Sequence, residues 1–236
     1  MLGSPNGIIP KRRLLVLKRT LAKIFPALFA AAALAAPAMA ADLRELLAAS
    51  RTAQKTGELI LVVDRALSLW KRGDAGAWGK TLEAPCGYGK LGLTENKREG
   101  DKKTPVGAFP ILHAFGNKPN PGTAMKWRPV TPTSYWADDV NQPKIYNTWV
   151  ESAKKIPGEH LADYYPYDYA MAVGYNADPA VPGRGSAIFV HVKSRRHWTT
   201  AGCLSRGRRD IIELLRQCHD GAWIVIVPKA ERLVRF

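Results

Sequence analysis

SAIFVHVKSRRHWTTAGCLS, residues 186–205, decides the reading of this chain. Its first seven residues are apolar on both faces, as a central strand buried on two sides should be. His191 comes near the end of that run. A basic loop follows, then Gly202, which frees the backbone to turn sharply, and then Cys203. Downstream, in RRDIIELLRQC (208–218), Ile211, Leu214, Leu215 and Cys218 fall at the i, i+3, i+4, i+7 spacing of one buried helix face. Ser205 is the expected N-cap, with Asp210 and Glu213 suited to an early turn. The segment therefore reads as strand, turn and helix, with an imidazole and a thiol at the joints.

The rest of the chain surrounds this unit with short strands. ELILVV (58–63) and ALSLWKR (66–72), separated by Asp64-Arg65, read as a tight hairpin, and AWGKTLEAP continues the meander. VGAFPILHAF (106–115), DYAMAVGYN (168–176) and AWIVIVP (222–228) are further strands. Between them, about 116–165 reads as a long irregular, lid-like insertion rich in Pro, Trp, Tyr and Asn. ADLRELLAASRTAQKTG (41–57) is a short polar leader with one helix, since Leu43, Leu46 and Leu47 share a face. The pattern is mainly β: a sandwich of mixed sheets with one helix after the cysteine and few others.

Residues 1–40 read as a secretory signal peptide: a basic n-region, the apolar core IFPALFAAAALAA, and the small-residue end Ala38–Ala40. Cleavage there predicts an exported domain over about 57–230 with no stable membrane insertion. The whole chain carries 35 Lys and Arg against 20 Asp and Glu, a net charge of +15. Six of the basic residues lie in the first forty, so the remainder carries +9. That balance suits an anionic lipid or acidic wall polymer, and export argues against nucleic acid. Three cysteines, Cys86, Cys203 and Cys218, allow three pairings; one of them, Cys86 with Cys218, frees Cys203. No metal-ligand spacing is present: a His191, His197, Cys203 set lacks a fourth ligand.

A thiol just before a helix and close to Lys193, Arg195 and Arg196 is placed to lose its proton. A neighbouring imidazole can accept that proton, and backbone N–H groups around Gly202 and Cys203 can hold the oxyanion of an attacked carbonyl. His191 is preferred to His197 as base because it sits on a strand, whereas RRHW is a polar loop. Thr104-Pro105 and Gly107 read as a scaffold turn, and Asp138-Asp139 as a solvated turn rather than a metal pair. The aromatics from Trp127 to Tyr167 suit either a groove lining or packing under a lid.

Three blocks resemble the catalytic domain of bacterial L,D-transpeptidases (YkuD-like): DKKTPVGAFPI (101–111), PGRGSAIFVHV (182–192) and TTAGCLS (199–205). The resemblance implies that Cys203 is the nucleophile and His191 the base, with a backbone carbonyl such as that of Val192 orienting the ring. Gly202 would shape the oxyanion pocket. It implies peptidoglycan stem peptides as donor and acceptor, no metal or organic cofactor, and Arg184, Lys193, Arg195, Arg196 and Thr200 as substrate contacts. Water in place of the acceptor would make the same thioester an L,D-carboxypeptidase or endopeptidase. A wall-binding module with an idle thiol is the non-enzymatic alternative. Many relatives have a second histidine where Ala201 stands, and arginine or asparagine where Ser205 stands.

Overall fold

The computed structural model describes residues 43–236, so the expected signal peptide at 1–40 lies outside the described residues. A helix over 43–49 (α1) opens the described chain, with Leu47 fully buried. The hairpin follows as expected: β1 (Glu58–Val63) pairs antiparallel with β2 (Ala66–Arg72). Asp64 and Arg65 adopt φ of 45° and 62°, the two positive values that a two-residue hairpin needs to match the strands' twist. β3 (Trp78–Pro85) extends the meander.

One mixed sheet dominates. Beyond β1–β3 it includes β6 (Gly107–Gly116), β11 (Ala170–Val173), β12 (Phe189–Val192), β13 (Leu204–Arg206) and β14 (Trp223–Ile226). Its order is β13-β12-β11-β6-β14-β1-β2-β3, with β7 (Trp127–Pro129) alongside β6. Two very short strands, β4 (Leu93–Thr94) and β5 (Thr104–Pro105), pair separately. Strand alternation gives the large sheet two apolar faces. One carries Ile60, Val62, Val190, Val192, Leu204 and Ile224, closed by Ile211, Leu214 and Leu215 of α2 (Arg208–Gln217). The other carries Phe115, Ala170, Ala172, Phe189 and Cys203 beneath Trp136, Leu161 and Tyr167.

That second cover corrects the irregular reading of 116–165. The segment has its own three-stranded antiparallel sheet of β8 (Ser134–Ala137), β9 (Thr148–Glu151) and β10 (Glu159–His160). These strands are two to four residues long, too short for alternation to show in sequence. Trp136 and Tyr167 pack edge-on against Phe189, with centroids 4.8 and 5.4 Å away. Tyr135, Trp136, Tyr146 and Tyr167 thus serve as packing, whereas Tyr164 is exposed. No helix of the described residues is long and apolar enough to cross a membrane.

Candidate active site

β12 and β13 run parallel, with His191 opposite Ser205 and Val190 opposite Leu204. Parallel neighbours require a crossover, which the loop between Val192 and Leu204 supplies. One step back in this register Cys203 lies beside Phe189, whose N–H donates to Cys203 Sγ at 3.4 Å. Cys203, Phe189 and His191 therefore share the face under Tyr167. Given strand spacing and rise, the Cα atoms of the diagonal pair Cys203 and His191 are about 8 Å apart.

Each group has a defined resting state. His191 Nδ1–H donates to the Val192 carbonyl at 2.8 Å, which leaves Nε2 as the basic nitrogen. Burial lowers the ring's pKa to about 4, against the opposing pull of the Val192 bond. The Cys203 thiol donates to the Ala187 carbonyl at 3.0 Å. Burial drives its pKa well above the usual range and the negative charge of Glu159 adds to this, while the Phe189 N–H and Lys97 oppose it. Thiol and imidazole rest in their neutral forms.

This overturns the expectation of a thiol activated by a helix start. Leu204–Arg206 is a strand, buried on both faces and paired with β12, and it separates Cys203 from α2. Ser205 belongs to that strand; Gly207 precedes the helix, without a side-chain cap. The expected substrate contacts are dispersed. Arg184 borders a separate cavity with Glu95, Arg98 and Tyr175. Lys193 lies over Trp198 and Arg195 over Tyr165, while Arg196 is exposed. Thr200 turns inward: its hydroxyl donates to the Cys203 carbonyl at 2.6 Å and accepts from Gly202 N–H. His197 is exposed.

Several residues hold the loop around Cys203 in place: Thr104, which the sequence marked only as part of a scaffold turn, and Gly87, Gly89 and Asn147, which it did not mark. Thr104 Oγ1 donates to the Gly202 carbonyl at 2.6 Å and accepts from Gly89 N–H at 2.8 Å. Gly87 forms an antiparallel bridge to Ser205, and Gly89 a parallel one to Thr200. Gly202 adopts φ of 155°, and a Cβ there would lie 3.1 Å from the Lys103 carbonyl. Asn147 Oδ1 accepts from Ala187 N–H and Trp136 Nε1, fixing the residue whose carbonyl holds the thiol. Through Thr104 the TPVG block thus clamps Gly202, next to Cys203, across 98 residues. Thr104→Val should leave a buried amide and carbonyl unpaired and cost about 2 kcal/mol. Thr104→Ser should recover most of that in a thermal melt.

A cavity of about 200 Å³ opens beside Cys203, lined also by Lys97, Glu99, Asp138, Glu159 and Ser186. Asp138 faces it rather than sitting in a fully solvated turn. Asp139 is the member of the pair that caps the loop, accepting from Asn141 and Gln142.

In this mainly β domain a buried thiol just ahead of β13 and an imidazole on the parallel strand β12 lie near one another, the thiol lining a cavity. The family model of the L,D-transpeptidase catalytic domain, YkuD, matches residues 58–226, and the chain belongs to that family. No curated protein matches the chain. Among solved structures, the helical cell shape determining protein Pgp2 from Campylobacter jejuni is 16% identical with a TM-score of 0.41, covering 75% of this chain and 53% of its own. An L,D-transpeptidase (Yku) from Stackebrandtia nassauensis is 11% identical, TM-score 0.37, with coverages of 74% and 57%. An Enterococcus faecium L,D-transpeptidase mutant is 12% identical, TM-score 0.36, with coverages of 73% and 50%. The chain spans about half the length of these structures.

Proposed function

We propose that this protein is an exported cysteine acyltransferase of the bacterial cell envelope, periplasmic or otherwise outside the cytoplasm, that joins peptidoglycan stem peptides through a Cys203 thioester. The observation that carries the reading is the membership of 58–226 in the L,D-transpeptidase family, together with Cys203 and His191 on one face of paired strands beside a cavity.

In this reaction the thiol leaves the Ala187 carbonyl by a rotamer change and gives its proton to His191 Nε2. Sulfur attacks the carbonyl carbon of an L,D-type amide in the donor stem. The C–N bond breaks, and the departing D-amino acid takes the proton from His191. The amine of a second stem then attacks the thioester, its proton passes to His191, and sulfur departs and is reprotonated. Gly202 gives the turn its shape, while Arg184, Lys193, Arg195 and Arg196 offer positive charge to stem carboxylates. The chemistry needs no metal or organic cofactor.

The test is the mass of the protein after mixing with a tetrapeptide stem. An adduct equal to the stem less its terminal D-amino acid should form on the wild type and on Cys218→Ala, and not on Cys203→Ala. A wild type that binds the stem without any adduct would identify a wall-binding module. Release of the trimmed stem to water, with no transfer to an amine, would identify a hydrolase.

A further inference from the structure

Lys97 lies in the loop between β4 and β5, yet its side chain is only 4% exposed. Lysine is almost never buried so far unless it is paired. The loop is built to hold it. Asp101 Oδ1 accepts from Lys97 Nζ at 2.6 Å and from Lys103 N–H at 2.9 Å, and Oδ2 accepts from Arg98 N–H at 2.9 Å. The Arg98 carbonyl accepts a second Lys97 N–H at 2.9 Å. The lysine stem runs past two glycines. A Cβ on Gly185, which has φ of 96°, would lie 2.9 Å from Lys97 Cγ, and one on Gly202 would lie 3.6 Å from Cε. Room for a buried cation is thus left beside the residue that precedes Cys203.

The charged side chains lining the cavity at Cys203 are Lys97, Glu99, Asp138 and Glu159. The other titratable groups packed near the sulfur, Tyr167 and His191, rest neutral: burial raises the phenol well above its usual range and lowers the imidazole to about 4. Negative charge that forms on the sulfur therefore meets carboxylates and a single ammonium. Burial and Glu159 raise the thiol's pKa, whereas the Phe189 N–H and Lys97 lower it. In a buried recess a fixed charge acts more strongly than it does at the surface.

We propose that Lys97 is a positioning residue acting through Cys203: braced by Asp101 and given room by Gly185 and Gly202, it holds a fixed positive charge that favours negative charge on the sulfur against the carboxylates of the cavity. Its part in acylation by a stem peptide rests on the acyltransferase reading. Its effect on the sulfur does not.

Alkylation of Cys203 by iodoacetamide tests the effect without any peptide. Sulfur attacks the methylene carbon, iodide leaves, and the thiol proton passes to the buffer. Peptide mass spectrometry separates modification at Cys203 from that at Cys86 and Cys218. Losing a charge that lowers the thiol pKa by about one unit cuts the thiolate about tenfold, and the greater nucleophilicity of the more basic sulfur offsets about threefold of this. Lys97→Met, which keeps the length of the stem, should therefore react about threefold more slowly than wild type at about pH 8. A merely structural role predicts the opposite, because a loosened loop opens the cavity and exposes the sulfur. Asp101→Asn keeps an oxygen for Lys97 Nζ and removes the counter-charge, so it should react faster than wild type. A Lys97→Met rate equal to or above wild type overturns the proposal, and so does an Asp101→Asn rate that is no faster. If thermal melting shows that Lys97→Met does not fold, the Asp101→Asn rate alone decides. Failure of the wild type to form a stem-peptide adduct would remove the acyltransferase reading and leave these rates standing.

Discussion

His191→Ala should slow acylation of Cys203 by about a thousandfold, in the range expected when a positioned acid–base group is removed. The resting pair is neutral, with the thiol held protonated by burial and the imidazole holding a pKa of about 4. Above about pH 4 the ring is therefore already the free base, and proton transfer awaits the substrate. The acid limb of the acylation rate should lie near pH 4 rather than at the usual 6.5 of histidine. Single-turnover mass spectrometry across pH 3.5 to 8 (approximate limits set by the cited pKa) reads both effects. A wild-type limb between 6 and 7 would mean a solvated ring or a thiolate–imidazolium pair, contrary to the geometry. His197→Ala is the control: its exposed ring bonds the nearby Thr199 carbonyl, and its loss should leave the rate unchanged.

Glu159→Gln should make the protein more stable at neutral and alkaline pH. The carboxyl titrates near 7 in the fold against 4.5 when unfolded, so the folded state favours its protonated form. That contribution is present below the unfolded value and is lost as pH rises through 7. At pH 8 the ionised carboxylate destabilises the fold by about 3 kcal/mol, which glutamine removes. The midpoint of thermal unfolding should rise by roughly 6–10 °C at pH 8. At pH 4 the two proteins should melt together. His191 and His113 act in the opposite sense: burial lowers each to about 4, so stability falls as pH drops from 6.5 toward that value. Both histidines are common to the two proteins, and their effect cancels in the difference. Equal melting at pH 8 would show that Glu159 is solvated. Glu159, which weakens the fold at neutral pH, also lines the cavity beside Cys203.

The hairpin, the buried strand before His191 and the apolar face of α2 were legible because each has a strong local period or turn. That Cys203 and His191 come to one face of neighbouring chain segments was legible from three short blocks that preserve their order along the chain. The helix start was not: Leu204–Arg206 is only three residues long, and both its faces are buried, so Ser205 looked like a cap when it was ladder. The small sheet over 134–160 was hidden for the same reason. Thr104, Asn147 and Glu159 act across 98, 40 and 8 residues, through single hydrogen bonds. No periodicity announces such contacts. Asn147 carries a left-handed backbone, φ 57°, which its residue type permits but does not reveal.

The protonated state of Cys203 bears on its survival. Thiolates, not thiols, attack peroxides and disulfides, so a sulfur that stays protonated on the Ala187 carbonyl offers an oxidant almost no nucleophile. Cys86 and Cys218 are also free, buried and held protonated. A protein that meets oxidants can thus keep three unbridged cysteines, each shielded by burial and by its own proton.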